Sequence, residues 1–355
     1  MEVVRLNWLF LIITLVGVPL SLIGGFFHWP DIFMFILYAV TIVGLASYMG
    51  RATESLSIAA GPSVGGLLNA TFGNAVELII SFFALKEGLV GVVTASITGS
   101  VIGNLLLVGG LSILVGGLRY KRQTFNIHVA SHTAGILVFS IIVAFVFPVV
   151  FAQKMTAYNV QLLSTAIAVV MILIYLFSLL FRLVTHRGVY KGPEDEEPSH
   201  EVPEWGVGKA VLILAAATVA VAYISERLVG TIEPVARSFG WTELFIGVII
   251  VAIVGNAAEH ATAIVMAYKN RMNVTVEIAI GSTLQIAMFV APLLVIVSWA
   301  LPTHLPLVFP VTELIAMVLS VLLTISITSD GDTNWFEGAM LLAAYIIMGF
   351  GFFLL

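Results

Sequence analysis

Two short stretches, "GNAVE" at 73–77 and "GNAAE" at 255–259, place the same polar set inside long apolar runs. In each, an asparagine and a glutamate stand three positions apart, so Asn74 with Glu77, and Asn256 with Glu259, share one face of a helix. A carboxylate near the centre of a membrane helix costs about 2.5–3.5 kcal/mol, so two of them need something to offset them.

The frame extends downstream. Gly99-Ser100 recurs as Gly281-Ser282 at the 182-position offset that separates Glu77 from Glu259. Ser100 and Asn104 are spaced i, i+4, and Ser282 and Gln285 i, i+3, so each pair also shares a face. Interhelical hydrogen bonding alone would account for any one of Ser100, Asn104, Ser282 or Gln285. The repetition points instead to two halves of one site.

Brought together near the midplane, two carboxylates with amide and hydroxyl oxygens form a hard donor set. A calcium ion takes six to eight oxygen ligands of this kind. Zinc or copper would call for nitrogen and sulphur, yet the chain has no cysteine and its seven histidines lie mostly in loops. His260, beside Glu259, is a secondary candidate for tuning or proton transfer, with a structural hydrogen bond as the plainer role. Gly73, Gly99, Gly255 and Gly281 are expected to loosen their helices beside the site and turn carbonyls toward it.

Two carboxylates in a low-dielectric cavity cannot easily both stay ionised when empty, and they titrate as a pair. Protons and a divalent cation then compete for the same oxygens, which is the chemistry of an antiporter. Sodium coupling would need further hydroxyl-rich or carboxylate-rich sites in the flanking spans. Spans two and seven offer Thr41, Ser47 and Thr218 in their interiors, so proton coupling is favoured.

The elements that must position these residues are membrane helices. The composition, 60% hydrophobic and 10% charged, with a mean hydropathy of +1.10, excludes a soluble domain of 355 residues. Apolar runs of about 20 residues predict eleven spans, at 7–26, 31–50, 61–85, 89–116, 129–152, 158–183, 206–226, 241–268, 273–299, 306–328 and 334–354. The runs lack the alternation of barrel strands. The first is long enough to span and ends in no A-x-A site, so it reads as a helix and not as a secretory signal.

Eleven of the fifteen Lys and Arg fall on the side of the N-terminus, which places that end in the cytoplasm and the C-terminus outside. The polar segment "GPEDEEPSHEVPE" at 192–204 divides the chain. The expected organisation is an extra helix at 1–30, a five-helix repeat at 31–190, an acidic cytoplasmic linker at 191–205 and a second repeat at 206–355. Because the spans of the two motifs run in opposite directions, the repeats have inverted topology. The linker, with Glu194, Asp195, Glu196, Glu197, Glu201 and Glu204, could concentrate calcium, although a solvated connection explains it as well.

The segments "GNAVELIIS", "GSVIGNLLLVGG", "GNAAEHATAI" and "GSTLQIA" resemble the two alpha-repeats of the calcium/proton antiporter family, within the cation/calcium exchanger superfamily. The resemblance covers essentially the whole membrane region. It implies an all-α fold of eleven helices with inverted five-helix repeats, and calcium export driven by proton entry. Glu77 and Glu259 would be the cation and proton ligands, supported by Asn74, Asn256, Ser100, Ser282 and Gln285. It implies trimers too, and the short N-terminus fits a prokaryotic cell membrane. Calcium enters as substrate, with no cofactor; the partners are calcium, protons and the lipid bilayer, and not nucleic acid. The alternatives are a sodium/calcium or manganese exchanger and, from another class, an intramembrane enzyme using the glutamates as general acid and base.

Overall fold

The computed structural model describes residues 2–186 and 202–355. It is almost wholly helical, as a chain in lipid must be when its backbone polar groups have no water to bond. In chain order the helices are α1 Glu2–Phe26, α2 Asp31–Phe72, α3 Ala75–Lys86, α4 Val90–Arg119 and α5 Ile127–Ala152. They continue with α6 Ala157–Thr185, α7 Val207–Phe239, α8 Glu243–Tyr268, α9 Met272–Ser298, α10 Val311–Thr328 and α11 Trp335–Leu354. Among the described residues, ten helices are long and apolar enough to cross a membrane, which makes this a multi-pass membrane protein.

The segment expected as the third span, 61–85, is not one helix. At Gly61 the backbone takes φ 80°, and α2 turns sharply there. Ser57 Oγ donates to the Gly65 carbonyl at 2.9 Å, although residues eight apart on a straight helix would stand about 12 Å apart. The returning segment then stops at Phe72, and α3 begins at Ala75 after a break at Gly73-Asn74. Of the acidic linker, Glu194, Asp195, Glu196, Glu197 and Glu201 lie outside the described residues. Its last glutamate, Glu204, is held by the Arg51 guanidinium, whose Nε donates at 2.8 Å.

α4 forms the centre of the bundle, and every residue from Val92 to Ile102 is buried. It crosses α8 at very close range: a Cβ on Gly99 would come within 2.0 Å of the Val248 carbonyl, so no other residue fits that crossing. Its far half packs on α11, and α10 lies along its middle. α2 packs most extensively on α7, with α1 outside α2. Where α4 and α10 end, β1 (Gln123–Thr124) pairs antiparallel with β2 (Asp332–Thr333). Gln123 Nε2 also donates to the Ala267 carbonyl and to Asn270, both at 2.9 Å, tying the α8–α9 turn to the same polar patch.

Candidate ion-binding site

α3, α4, α8 and α9 supply the polar residues singled out in the sequence. Asn74 is the N-cap of α3 and Glu77 lies in its first turn, where the positive end of the helix dipole favours an anion. The break before α3 also leaves the last carbonyls of the preceding segment without helical partners. α8, by contrast, runs unbroken through Gly255–Glu259, after a π-helical stretch at Ile246–Val251. α4 and α9 carry π-helical stretches just beyond their site serines, at Gly103–Val108 and Ile286–Val290. The wider turn of a π-helix shifts side-chain phase and recurs at functional sites.

The two motifs interlock. Gly255 lies against the Glu77 side chain, so that a Cβ there would sit 3.0 Å from Cγ and Oε1 of Glu77. Gly73 faces Glu259 in the same way, with a Cβ 3.4 Å from its Oε1.

Between α8 and α4 two bonds repeat at helical spacing. Asn256 Nδ2 donates to Ser100 Oγ at 3.0 Å, and one turn on, His260 Nε2 meets Asn104 Oδ1 at 3.1 Å. α9 closes the other side: Ser282 Oγ donates to Glu259 Oε2, and Gln285 Oε1 accepts from Asn74 Nδ2. Asn74, Glu77, Ser100, Asn104, Asn256, His260 and Ser282 are all buried, whereas Glu259 and Gln285 are partly so. The predicted side chains therefore form four hydrogen-bonded pairs, with Glu77 against Gly255 and with Gly73 against Glu259 and Gln285.

Among the described residues, three buried oxygens at these positions, Glu77 Oε2, Asn74 Oδ1 and Asn256 Oδ1, have no hydrogen-bond partner. An unsatisfied buried polar atom costs about 1–3 kcal/mol, and a cation among these oxygens would remove that cost. Among the described residues no three His, Asp or Glu group as a metal cluster. The donor set is two carboxylates with neutral amides and hydroxyls, which suits a hard cation held reversibly.

The glycines behave differently from expectation. Gly73 does stand at a helix break, but Gly99, Gly255 and Gly281 lie within continuous helix. Gly99 and Gly255 are small because a backbone and a carboxylate approach them, while Gly281 has nothing within 4 Å of a Cβ. A second feature escaped the sequence reading. Glu313, in the first turn of α10, is 1% exposed and accepts from Thr98 Oγ1 of α4 at 2.6 Å. The available signal was an acidic residue inside the apolar run at 306–328, but no repeated partner marked it.

Comparison with known proteins agrees with this architecture. The model of the sodium/calcium exchanger protein family matches residues 31–184 and 209–354. The chain is 65% identical over 353 residues to the Ca(2+)/H(+) antiporter ChaA of Bacillus subtilis (strain 168), covering 99% of this chain and 100% of that one. It is 60% identical to the solved structure of native YfkE, with a TM-score of 0.86 over 98% of this chain and 100% of the other. The crystal structure of an H+/Ca2+ exchanger, CAX, is 16% identical with a TM-score of 0.72 over 98% of this chain and 92% of the other, a likeness of fold alone. The chain belongs to the sodium/calcium exchanger family and, within it, to the calcium/proton antiporters.

Proposed function

We propose that the protein exports cytoplasmic calcium in exchange for protons, with Glu77 and Glu259 as the carboxylates both ions share. The observation that carries this is the interlocking of the two motifs, each glutamate against the other motif's glycine, around three unpartnered oxygens. Cytoplasmic calcium displaces protons from the pair and the loaded protein reorients. External protons then displace calcium, and the protonated protein returns, one group of spans rocking about the fixed site.

Asn74, Asn256, Ser100, Ser282 and Gln285 orient the carboxylates and supply neutral oxygens, with Asn104 and His260 forming the outer rung. Spans two and seven offer only Thr41, Ser47 and Thr218 as interior hydroxyls, too few for the further ion sites that sodium coupling needs. This favours protons as the coupling ion. The names of the similar proteins point the same way.

In this reading the α2 return segment and α3 together make the third of eleven spans. Spans two to six (31–190) and seven to eleven (206–355) form inverted repeats joined by the linker at 191–205, with 1–30 as the extra helix. Matched π-helical stretches after Ser100 and Ser282 support the repeat. The Lys/Arg asymmetry supports a cytoplasmic N-terminus and an external C-terminus, and a prokaryotic cell membrane belongs to the same reading. The trimer implied by the resemblance belongs to the same reading, and light scattering of the purified protein tests it.

The deciding experiment is calcium uptake into everted vesicles with an acidic interior. Uptake is expected to follow the proton gradient, to collapse with a protonophore and to vanish in Glu77→Gln and Glu259→Gln. Uptake that follows a sodium gradient would reject the coupling ion, and uptake that survives either substitution would reject the site.

A further inference from the structure

Glu313 lies outside the cluster that binds calcium in this account, and its position calls for a separate explanation. Carboxylates inside membrane spans are rare, and they serve function more often than packing. Its buried carboxyl meets Thr98, itself fully buried, at the 2.6 Å of a strong O–H···O bond. A permanently neutral group would do as well as glutamine at this position. A permanently charged one would need a cation beside it.

Among the described residues, no ionisable group on the elements packed most against α10 pairs with Glu313 as that cation. Arg119 of α4, His128 and His132 of α5, Glu337 of α11 and Asp332 of β2 all belong to the end where α10 finishes. At the end where it begins, His304 is bonded to the Ser298 carbonyl at 3.0 Å, and Lys154 lies exposed in the α5–α6 connection. A carboxyl with a hydroxyl partner and no fixed counter-charge suits a group that gains and loses a proton.

Thr98 and Ser100 stand two residues apart on α4 and so face nearly opposite sides of it. One meets Glu313, and the other accepts from Asn256 of the calcium site. A change of charge at Glu313 that moved α4 would therefore reach Ser100 and Asn104 directly, because α4 is packed on all sides.

We propose that Glu313 is a third proton-carrying carboxylate, a positioning residue that acts on the calcium site through Thr98 and α4. The proposal rests on the proton-coupled reading above. Its test is the pH profile of calcium exchange in vesicles, together with proton release on calcium addition to the purified protein, for wild type, Glu313→Gln and Thr98→Val.

Both variants are expected to displace the midpoint of the profile by about one pH unit, the scale of one hydrogen bond to a charged group. Glu313→Gln should also release fewer protons per calcium. A purely structural contact would lower melting temperature without moving the profile. If Glu313→Gln does not fold, Thr98→Val carries the test alone. Wild-type profiles and proton release in the folded variants would overturn the proposal while leaving the two-glutamate site standing. A wild-type protein indifferent to the proton gradient would remove both.

Discussion

The two halves of the site are written in nearly the same five letters and are built differently. "GNAVE" sits at a break, with Asn74 capping α3 and Glu77 in its first turn, whereas "GNAAE" runs through the unbroken middle of α8. The difference lies in the preceding residues. Asn69 and Thr71 lead the first motif with side chains that compete for backbone hydrogen bonds, while Val251, Ala252, Ile253 and Val254 lead the second and offer no such competition.

The partners differ too. Glu259 is bonded by Ser282, but the matching Ser100 serves Asn256 and leaves Glu77 Oε2 bare. A pair with unequal surroundings suits a site that must bind and then release, because one carboxylate is pre-formed and the other is completed by the ion.

The largest effects should come from the carboxylates themselves. Glu77→Gln and Glu259→Gln are each expected to weaken calcium binding by about 3–5 kcal/mol, a hundredfold or more in Kd, measured with radiocalcium on purified protein. If the halves are unequal as described, Glu77→Gln is the more damaging, since Glu259→Gln keeps an oxygen for Ser282. Equal losses would erase the asymmetry.

Next come the glycines, whose sequence equivalence the fold breaks. Gly99→Ala drives a methyl into the Val248 carbonyl and should cost about 1–3 kcal/mol or more in stability, visible as a lowered melting temperature. Gly281→Ala meets open space and should be neutral or raise stability by up to about 1 kcal/mol. A matching loss at both would mean that the α4–α8 crossing is misjudged.

Smaller still is the serine pair. Ser282→Ala removes a hydrogen bond to a carboxylate, worth about 1.5–3 kcal/mol, or roughly tenfold or more in calcium affinity. Ser100→Ala should cost about fivefold or less, because Asn256 keeps its 2.9 Å bond to the Ala252 carbonyl. Reversed magnitudes would show that the two glutamates exchange roles.

Much of this was legible in the sequence because polar groups in apolar runs are costly and therefore conspicuous. The membrane helices apart from the third expected span, Glu77 and Glu259, and the faces shared by Ser100 with Asn104 and by Ser282 with Gln285 follow from spacing. The break before α3 was not legible, because a five-residue motif does not carry the helix propensity of its neighbours. Nor were the separate roles of Gly99 and Gly281, since what approaches a glycine is decided by tertiary packing. Glu313 was hidden for a related reason: a lone acid within the run 306–328 has no repeated partner, and Thr98 meets it only in the fold.

The most direct test of the central claim is to count protons released when calcium is added to purified, weakly buffered protein across a range of pH. If calcium and protons share Glu77 and Glu259, calcium affinity falls as pH is lowered, proton release accompanies binding, and the release disappears in Glu77→Gln and Glu259→Gln. Calcium binding that releases no protons, or a release unchanged in both variants, would contradict a shared two-glutamate site.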